Sequence, residues 1–232
     1  MERADAWTKE SRFGRWFLTT DIWVQYVLKV AVADLAHLLG PSYGPCSIVL
    51  DLGCGRGQAL PLLEETFKPE VLVGLDVDSA MVKFAAREAA RCRCRVQLEV
   101  GLAAQLGFAD ASLDAIFCHQ TLHHLADQEA TAREFHRVLK PGGVLLMSES
   151  CAPFIRSLAV RVLFRHPMAA QKSAEEYLDL LRSAGFTFTD KHVALPYPWW
   201  SRPDFGLREW LGWPLPARRQ ATILNVVAFR ED

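Results

Sequence analysis

The chain has 232 residues, of which 50% are hydrophobic, and its formal net charge is −1 at pH 7. This length and composition suit an α/β fold with one hydrophobic core and give no reason to expect a second core. The balanced charge does not favour broad electrostatic attraction to nucleic acid, so we expect no nucleic-acid partner. A small-molecule ligand becomes the default expectation.

The cysteines do not form a recognisable framework. Six of them are scattered without the regular spacing of a disulfide scaffold, and the first residues lack the charged-then-apolar pattern of a secretory signal. A reducing cytoplasm is the expected location. Cys92 and Cys94 are one residue apart rather than the two usual in zinc sites, and no second ligand pair follows them, so we expect no metal.

The first predicted element is a helix over residues 19–40, where capping residues precede apolar side chains at near-helical spacing. Its apolar length raises the question of a membrane span, but Asp21, Lys29 and Asp34 interrupt it, and charges in a bilayer are costly. We therefore predict no span and assign residues 1–45 to an N-terminal helical segment. The apolar positions are Ile22, Trp23, Tyr26, Val27, Val30, Leu35 and Leu38.

From residue 46 onward, strand and helix patterns alternate. This alternation favours right-handed βαβ units and a doubly wound, mostly parallel sheet with helices on both faces. The motif KPGG at 140–143 marks a sharp stop between a helix and its strand, and Ser173 with Glu176 predicts a capping box. The predicted strands are 46–53, 71–77, 95–101, 113–118, 143–149, 186–195 and 221–231, and residues from about 196 to 220 are an insertion rich in tryptophan and proline.

Residues 50–57 read LDLGCGRG, with three glycines at alternate positions where the first strand turns towards a helix. A phosphate-binding P-loop needs Gly-Lys-Ser/Thr, and this chain has Arg-Gly-Gln at 56–58. The dinucleotide fingerprint G-x-G-x-x-G/A is matched only in part, because counted from Gly53 it has Gly55 but its last position falls on Gln58, one residue before Ala59. Asp76 ends the second predicted strand, where an acid can accept hydrogen bonds from both ribose hydroxyls. These features predict a nucleoside ligand without saying which one.

Two later stretches narrow the ligand: GFADASLDAIFCHQTLHHLAD at 107–127 and EFHRVLKPGGVLLMSE at 134–149. With the glycine turn, they resemble the class I S-adenosylmethionine-dependent methyltransferases, in particular the type 11 group that includes the ubiquinone and menaquinone C-methyltransferases. The resemblance runs from about residue 46 to 150. It implies a Rossmann-like α/β fold with a C-terminal antiparallel strand, and S-adenosyl-L-methionine as the cofactor of a domain over 46–232.

The resemblance also implies a set of cofactor-binding residues. One of them departs from the family, since Leu102 stands where an aspartate often holds the adenine amino group, and leucine cannot make that bond. The Ala103 N–H and the face of Leu102 remain available to the adenine ring. The implied set is Asp51, Gly53, Cys54, Gly55, Asp76, Val77, Leu102, Ala103 and Cys118.

Candidate catalytic residues follow the fourth and fifth predicted strands. They are His119, His123, His124 and Glu149, which a doubly wound sheet places at the carboxyl ends of its strands, where ligands bind. A base at His123 oriented by Glu149 resembles the arrangement in sugar O-methyltransferases of this family. The alternative is that LHHL is a structural turn, because methyl transfer can proceed by alignment of the reactants alone.

Large aromatic residues outside the βαβ core give the clue to the methyl acceptor. They predict either a lid over a small apolar or aromatic acceptor, with the N-terminal segment covering the same site, or ordinary packing between insertion and helix. Peripheral contact with a membrane surface is a third interpretation. The residues are Trp16, Phe17, Trp23, Trp199, Trp200, Phe205, Trp210 and Trp213.

The expected function is therefore methyl transfer from S-adenosylmethionine to the oxygen, carbon or nitrogen of a small acceptor, by a monomer or homodimer. Two other functions stay open. One is a regulatory or partner protein that binds S-adenosylmethionine without turnover, for which the missing adenine aspartate gives some support. The other is a nicotinamide-dependent reductase, because the glycine turn matches part of the dinucleotide fingerprint.

Overall fold

The computed structural model describes residues 8, 10–41, 43–202, 206–214 and 219–231. Its centre is one eight-stranded sheet in the order β3-β2-β1-β4-β5-β8-β6, and β7 also pairs with β8. The first five strands are parallel, and β8 runs antiparallel to β5, which confirms the predicted architecture. The strands are β1 Ile48–Leu52, β2 Val71–Asp76, β3 Arg95–Val100, β4 Leu113–His119, β5 Leu139–Ser150, β6 Phe186–Thr187, β7 Val193–Ala194 and β8 Ile223–Arg230.

The helices cover both faces of the sheet. Two apolar clusters pack against the sheet. One includes Phe135 and Tyr177, and the other includes Leu35 and Leu60. A doubly wound sheet of this kind binds ligands where the strand order reverses, which here is beside β1 and β4. The helices are α1 Arg12–Phe17, α2 Asp21–Trp23, α3 Lys29–Leu39, α4 Leu60–Phe67, α5 Ser79–Ala89, α6 Gln128–Val138, α7 Ala152–Ile155, α8 Leu158–Leu163, α9 Ala174–Ser183 and α10 Leu207–Trp210.

The predicted N-terminal helix is present, and a π-helical turn at Val24–Leu28 joins α2 to α3. By length and composition alone, Asp21–Leu39 could cross a membrane. However, Leu28, Val32 and Leu35 are buried in the core, and Asp34 accepts a hydrogen bond from Asn225 Nδ2 at 3.0 Å. The inward face of this helix is therefore part of the packed sheet domain.

The apolar face predicted for this helix was partly wrong. Val27 and Leu35 are buried, but Ile22, Tyr26 and Val30 are exposed. A π-helical turn takes more residues than an α-helical one, so positions before and after it no longer share one face. Of these exposed side chains, Ile22 and Tyr26 line a cavity.

Two boundary predictions also need correction. The KPGG stretch at 140–143 lies within β5 as an irregularity, where the pairing with β4 shifts between Leu113 and Ala115. The strand predicted over 186–195 is two short strands separated by a 3₁₀ turn at Asp190–His192, where Thr189 caps the turn. By contrast, the capping box predicted at the start of α9 is confirmed.

Candidate functional site

A cavity of about 660 Å³ opens at the carboxyl ends of β1 and β4. This volume is in the usual range of small-molecule sites, and most of its wall is apolar. The wall combines the glycine turn after β1, the segment after β4, α1 and α8. Its aromatic side chains are Phe13, Phe17, Trp23, Tyr26, Phe84, Phe117, Phe154, Phe164, Trp199 and Trp200.

The glycine turn is held close to β2 and to the segment after β4. The N–H groups of Gly53 and Cys54 donate to the Leu75 carbonyl oxygen at 2.8 and 3.0 Å. A Cβ on Gly53 would lie 2.3 Å from Thr121 Oγ1, whereas a Cβ on Gly55 would meet nothing closer than 3.9 Å. Gly53 therefore allows two loops to interlock, and Gly55 leaves open space at the cavity wall.

The third glycine of the turn serves packing. Gly57 has φ +78°, and a Cβ on it would lie 3.0 Å from the Cα of Ala85 in α5. Gly57→Ala should lower the free energy of unfolding by about 1–3 kcal/mol, because alanine is strained at this φ and α5 must also move. Gly107→Ala is the matched control, since its φ is not positive and its Cβ meets no atom within 4 Å. Equal unfolding midpoints of the two variants in urea would contradict this explanation.

Two acids lie beside the glycine turn. Asp76 accepts hydrogen bonds from the N–H of Gly55 and of Asp78, both at 2.8 Å. Asp51 is 3% exposed, and its Oδ2 has no hydrogen-bond partner among the described residues. Burial, and to a lesser degree the charge of Asp76, raises the pKa of Asp51 to about 8. A buried carboxyl without a partner is costly, so this corner of the cavity suits a positively charged ligand group.

A buried histidine and glutamate lie on the other side of the turn. His123 Nδ1 is 2.5 Å from Glu149 Oε2, and both side chains are almost fully buried. Glu149 Oε1 accepts the N–H of Thr121 and of Leu122 at 2.8 and 2.7 Å. An ionised carboxylate only accepts hydrogen bonds, and Glu149 already accepts two from backbone N–H groups. We therefore assign the proton between Nδ1 and Oε2 to His123 Nδ1, which leaves His123 Nε2 with its lone pair.

Three other histidine rings line the same cavity: His119, His124 and His166. Burial, with a smaller contribution from His123, lowers the pKa of His119 and of His166 to about 3. The same causes hold the pKa of His124 well below its usual range. These three imidazoles are therefore uncharged at neutral pH.

The N-terminal segment is fastened over this cavity. The Thr8 N–H donates to the His124 carbonyl oxygen at 3.1 Å, and Ser11 Oγ donates to the Leu163 carbonyl oxygen at 2.6 Å. Aromatic contacts continue the closure, with Phe164 packing edge-on against Phe13 and Phe17 at centroid distances of 5.5 and 6.0 Å. One wall of the cavity is thus made by α1 and the residues before it.

The tryptophans of the insertion have different surroundings. Trp199 and Trp200 line the cavity, and Trp200 packs edge-on against Phe154 at 5.7 Å. Trp210 and Trp213 lie outside the lining and are 82% and 58% exposed. Phe205 is outside the described residues.

The structure brings most of the predicted site residues together. Asp51, Gly53, Cys54, Gly55, His119, His123 and His124 all line the cavity. Cys118 and Glu149 are fully buried beneath it. Asp76 reaches the turn through Gly55, whereas Val77, Leu102 and Ala103 follow β2 and β3 outside the cavity lining.

The two thiols of the predicted set are unreactive fillers. Burial and nearby carboxylates raise the pKa of Cys54 and of Cys118, so neither is a thiolate at neutral pH. The thiolate is the nucleophilic form of cysteine, and these surroundings suppress it.

Several cavity residues were missed from the sequence. Gln120 lies between β4 and His123 with φ +51°, an uncommon value for a residue with a side chain, and Ser150 Oγ donates to its amide oxygen. Such backbone strain is concentrated at functional sites, but no sequence pattern marks it. Arg56 and Phe84 form a cation–π pair at 4.1 Å on the cavity wall. Phe84 could have been suggested from the sequence, because it lies in α5, the helix that follows β2 and Asp76.

In comparisons with known proteins, residues 50–147 match a family model described as a methyltransferase domain. Phosphoethanolamine N-methyltransferase 3 of Arabidopsis thaliana is 32% identical over 143 residues, covering 61% of this chain and 29% of that protein. Malonyl-acyl-carrier-protein O-methyltransferase 1 of Coxiella burnetii is 39% identical over 100 residues, covering 43% of this chain and 32% of that protein. The chain thus spans less than a third of the length of these relatives.

Among solved structures, the plantazolicin methyltransferase BamL, in complex with a triazolic desmethylPZN analog and SAH, superimposes with a TM-score of 0.68. Its sequence is 15% identical, and the match covers 95% of this chain and 90% of that one. At this identity the likeness concerns the fold. The mostly parallel sheet with its antiparallel β8 is therefore the fold that this chain shares with that methyltransferase.

Proposed function

We propose that this chain is a class I S-adenosylmethionine-dependent methyltransferase and that it transfers a methyl group to a small apolar or aromatic acceptor. The observation that carries the proposal is one cavity that joins the glycine turn and Asp51 to the His123–Glu149 pair across mostly aromatic walls. We further propose a cytoplasmic location, a monomer or homodimer, and no nucleic-acid partner, in keeping with the net charge of −1.

The residues near β1 and β2 fit the cofactor. S-adenosylmethionine supplies an electrophilic methyl group on a positively charged sulfur. Asp51, buried and without a partner among the described residues, would compensate positive charge on the methionine portion. Asp76 would accept from the ribose hydroxyls while it keeps its bonds to the turn, because each carboxylate oxygen has a second lone pair. Val77, Leu102 and Ala103 would complete the adenine end, whereas Cys118 is fully buried beside Glu149, with Sγ 3.7 Å from Oε1, and cannot contact the adenine.

His123 is the candidate base that the surroundings favour. His119 and His124 have pKa values far below neutrality because they are buried beside His123, which makes them weak bases. His123 alone of the three has a hydrogen bond to a buried carboxylate, and Glu149 can stabilise the imidazolium that forms when Nε2 accepts a proton. A positioned base adds about 10²–10⁴-fold to the rate for an acceptor that must lose a proton.

The walls of the cavity favour an apolar acceptor. Aromatic side chains from α1, from the segment after α8 and from the insertion surround the space in front of His123. Such walls bind flat or apolar groups and exclude water from the transfer step. The plant relative is named for phosphoethanolamine, a small charged acceptor, and the aromatic cavity of this chain argues for a different class.

A panel of acceptors tests this assignment. The protein is incubated with methyl-labelled S-adenosylmethionine and with phenols, quinols, apolar amines and phosphoethanolamine. We expect label in the phenols or quinols and none in phosphoethanolamine. Transfer to phosphoethanolamine alone would contradict the proposed acceptor class, and it would still leave the methyl transfer itself standing.

Cofactor affinity should depend on pH through Asp51. With a pKa of about 8 in the free protein, this carboxyl is protonated at pH 6, and a bound cation favours its ionised form. Binding then releases a proton, so affinity should rise by up to about tenfold per pH unit towards pH 8 and level off above it. The other titratable groups near Asp51 are Asp76, Cys54 and Cys118, and the thiols stay neutral in this range.

Calorimetric titration with S-adenosylmethionine at pH 6, 7 and 8 measures this dependence. Asp51→Asn is the matched control, since it keeps the shape of the side chain and cannot ionise. We expect a flat profile for the variant. The same slope in both proteins would assign the titration to another group and contradict the role of Asp51.

A further inference from the structure

Three imidazole rings meet in the part of the cavity that the N-terminal segment covers. His123 and His124 belong to the 3₁₀ turn after β4, and His166 follows α8. Their ring centroids are 4.3, 4.8 and 5.1 Å apart, and one ring nitrogen of each lies within 4.8 Å of the other two. Three imidazoles bound to one tetrahedral metal ion at about 2.0–2.1 Å have centroids roughly 5 Å apart.

We propose that His123, His124 and His166 bind one divalent transition-metal ion of the zinc class. Three nitrogen ligands without an oxygen cage suit Zn²⁺, Co²⁺ or Ni²⁺, whereas Mg²⁺ and Ca²⁺ require oxygen ligands. All three rings line the cavity, so an ion bound by them would be open to it. The sequence-based expectation of no metal rested on the spacing of the cysteines. That spacing says nothing about His166, which is distant in sequence from His123 and His124.

The surroundings of His123 match those of a metal ligand. Metal-bound histidine normally donates its other ring N–H to a carboxylate or carbonyl, which fixes the ring and its tautomer. Glu149 holds His123 Nδ1 in this way at 2.5 Å and leaves Nε2 for an ion. The Gln171 side-chain amide also donates to the His123 carbonyl oxygen at 2.8 Å.

The other two rings are placed by the N-terminal segment. Glu10 Oε1 accepts the Arg165 N–H at 2.9 Å, which fastens the chain beside His166. Glu10 Oε2 lies 4.0 Å from His124 Nε2 and adds negative charge next to this ring. His124 Nδ1 is buried without a hydrogen-bond partner among the described residues, so an imidazole nitrogen here lacks the bond that a buried polar atom normally makes.

Metal binding and proton acceptance exclude each other at His123. This consequence rests on the proposed function, which assigns the acceptor's proton to Nε2. An ion on that nitrogen removes the base, so added Zn²⁺ should lower the methyl-transfer rate, and a chelator should restore it. The site would thus make the activity sensitive to metal.

Metal titration of untagged protein, first freed of metal with a chelator, tests the site. We expect one equivalent of Zn²⁺ to bind by calorimetry and Co²⁺ to give the visible absorption of a tetrahedral complex. His166→Ala and His124→Gln should each weaken Zn²⁺ binding by about 100-fold or more, because each variant removes one of the three metal ligands. His37→Ala, on the exposed side of α3, should bind as the unchanged protein does.

S-adenosylmethionine affinity, measured on every variant, reports folding and separates the two proposals. Zn²⁺ binding that is absent, or equal in unchanged protein and in folded His166→Ala and His124→Gln, would overturn the metal site while cofactor binding and methyl transfer stand. Stoichiometric Zn²⁺ binding that these two variants lose supports the site, even if no acceptor is ever methylated and the proposed function fails.

Discussion

Replacing Asp76 with alanine should weaken S-adenosylmethionine binding by about 100-fold or more, because two hydrogen bonds to a carboxylate are lost at about 1.5–3 kcal/mol each. The same substitution removes the acceptors of the Gly55 and Asp78 N–H groups, so the glycine turn loses its anchor to β2. Both effects act on the cofactor side of the cavity. Calorimetric titration with S-adenosylmethionine measures the loss.

Asp78→Ala is the matched control for this prediction. Asp78 caps α5 by accepting the Ala80 N–H at 2.9 Å, so its loss should cost about 1 kcal/mol of stability. It leaves the Asp76 carboxylate in place, and cofactor affinity should change by less than about threefold. Asp76→Ala with unchanged affinity would remove the ribose role of Asp76 and with it the account of the cofactor site.

Replacing His123 with alanine should lower kcat for a hydroxyl or phenol acceptor by about 10²–10⁴-fold, because proton removal loses its base. Affinity for S-adenosylmethionine should be nearly unchanged, since the ring lies on the acceptor side of the cavity. Glu149→Gln should also lower kcat, because an amide cannot accept from His123 and from both backbone N–H groups at once. Steady-state kinetics with separate kcat and KM values measure both variants.

His136→Gln is the control for these substitutions, because His136 lies on α6 outside the cavity lining. His136 is half-buried and packs edge-on against Phe186 away from the cavity, so the variant should keep kcat within about threefold of the unchanged protein. If His123→Ala also kept kcat within about threefold of the unchanged protein, LHHL would be a structural turn, and alignment of the reactants alone would account for the transfer. Glu149→Gln with unchanged kcat would deny Glu149 a part in positioning the ring.

The sheet could be predicted because its signals are local. Parallel strands buried on both faces are nearly continuous apolar runs, and each is followed by a helix with its own caps and stops. Gly53, Gly55 and Asp76 end neighbouring strands, so strand order alone brings them together. The placement of His123 near the glycine turn follows from the same rule, since β1 and β4 are adjacent.

The rest of the cavity could not be predicted, because it depends on contacts between segments far apart in the chain. His166 lies beside His123 where the N-terminal segment bonds to both loops, through Thr8 to His124 and through Glu10 and Ser11 to the residues around α8. The π-helical turn at Val24–Leu28 redirects one face of the N-terminal helix, and no residue pattern announces it. The positive φ of Gln120 belongs to the same group, since tertiary packing imposes it.

The most direct test of the account is a single reaction in which methyl-labelled S-adenosylmethionine, the protein and a phenol or quinol acceptor are followed to completion. We predict that S-adenosylhomocysteine and methylated acceptor form in equal amounts, and that His123→Ala slows both together. Tight binding of S-adenosylmethionine without any product from the full acceptor panel would contradict catalysis and identify a protein that binds the cofactor without turnover.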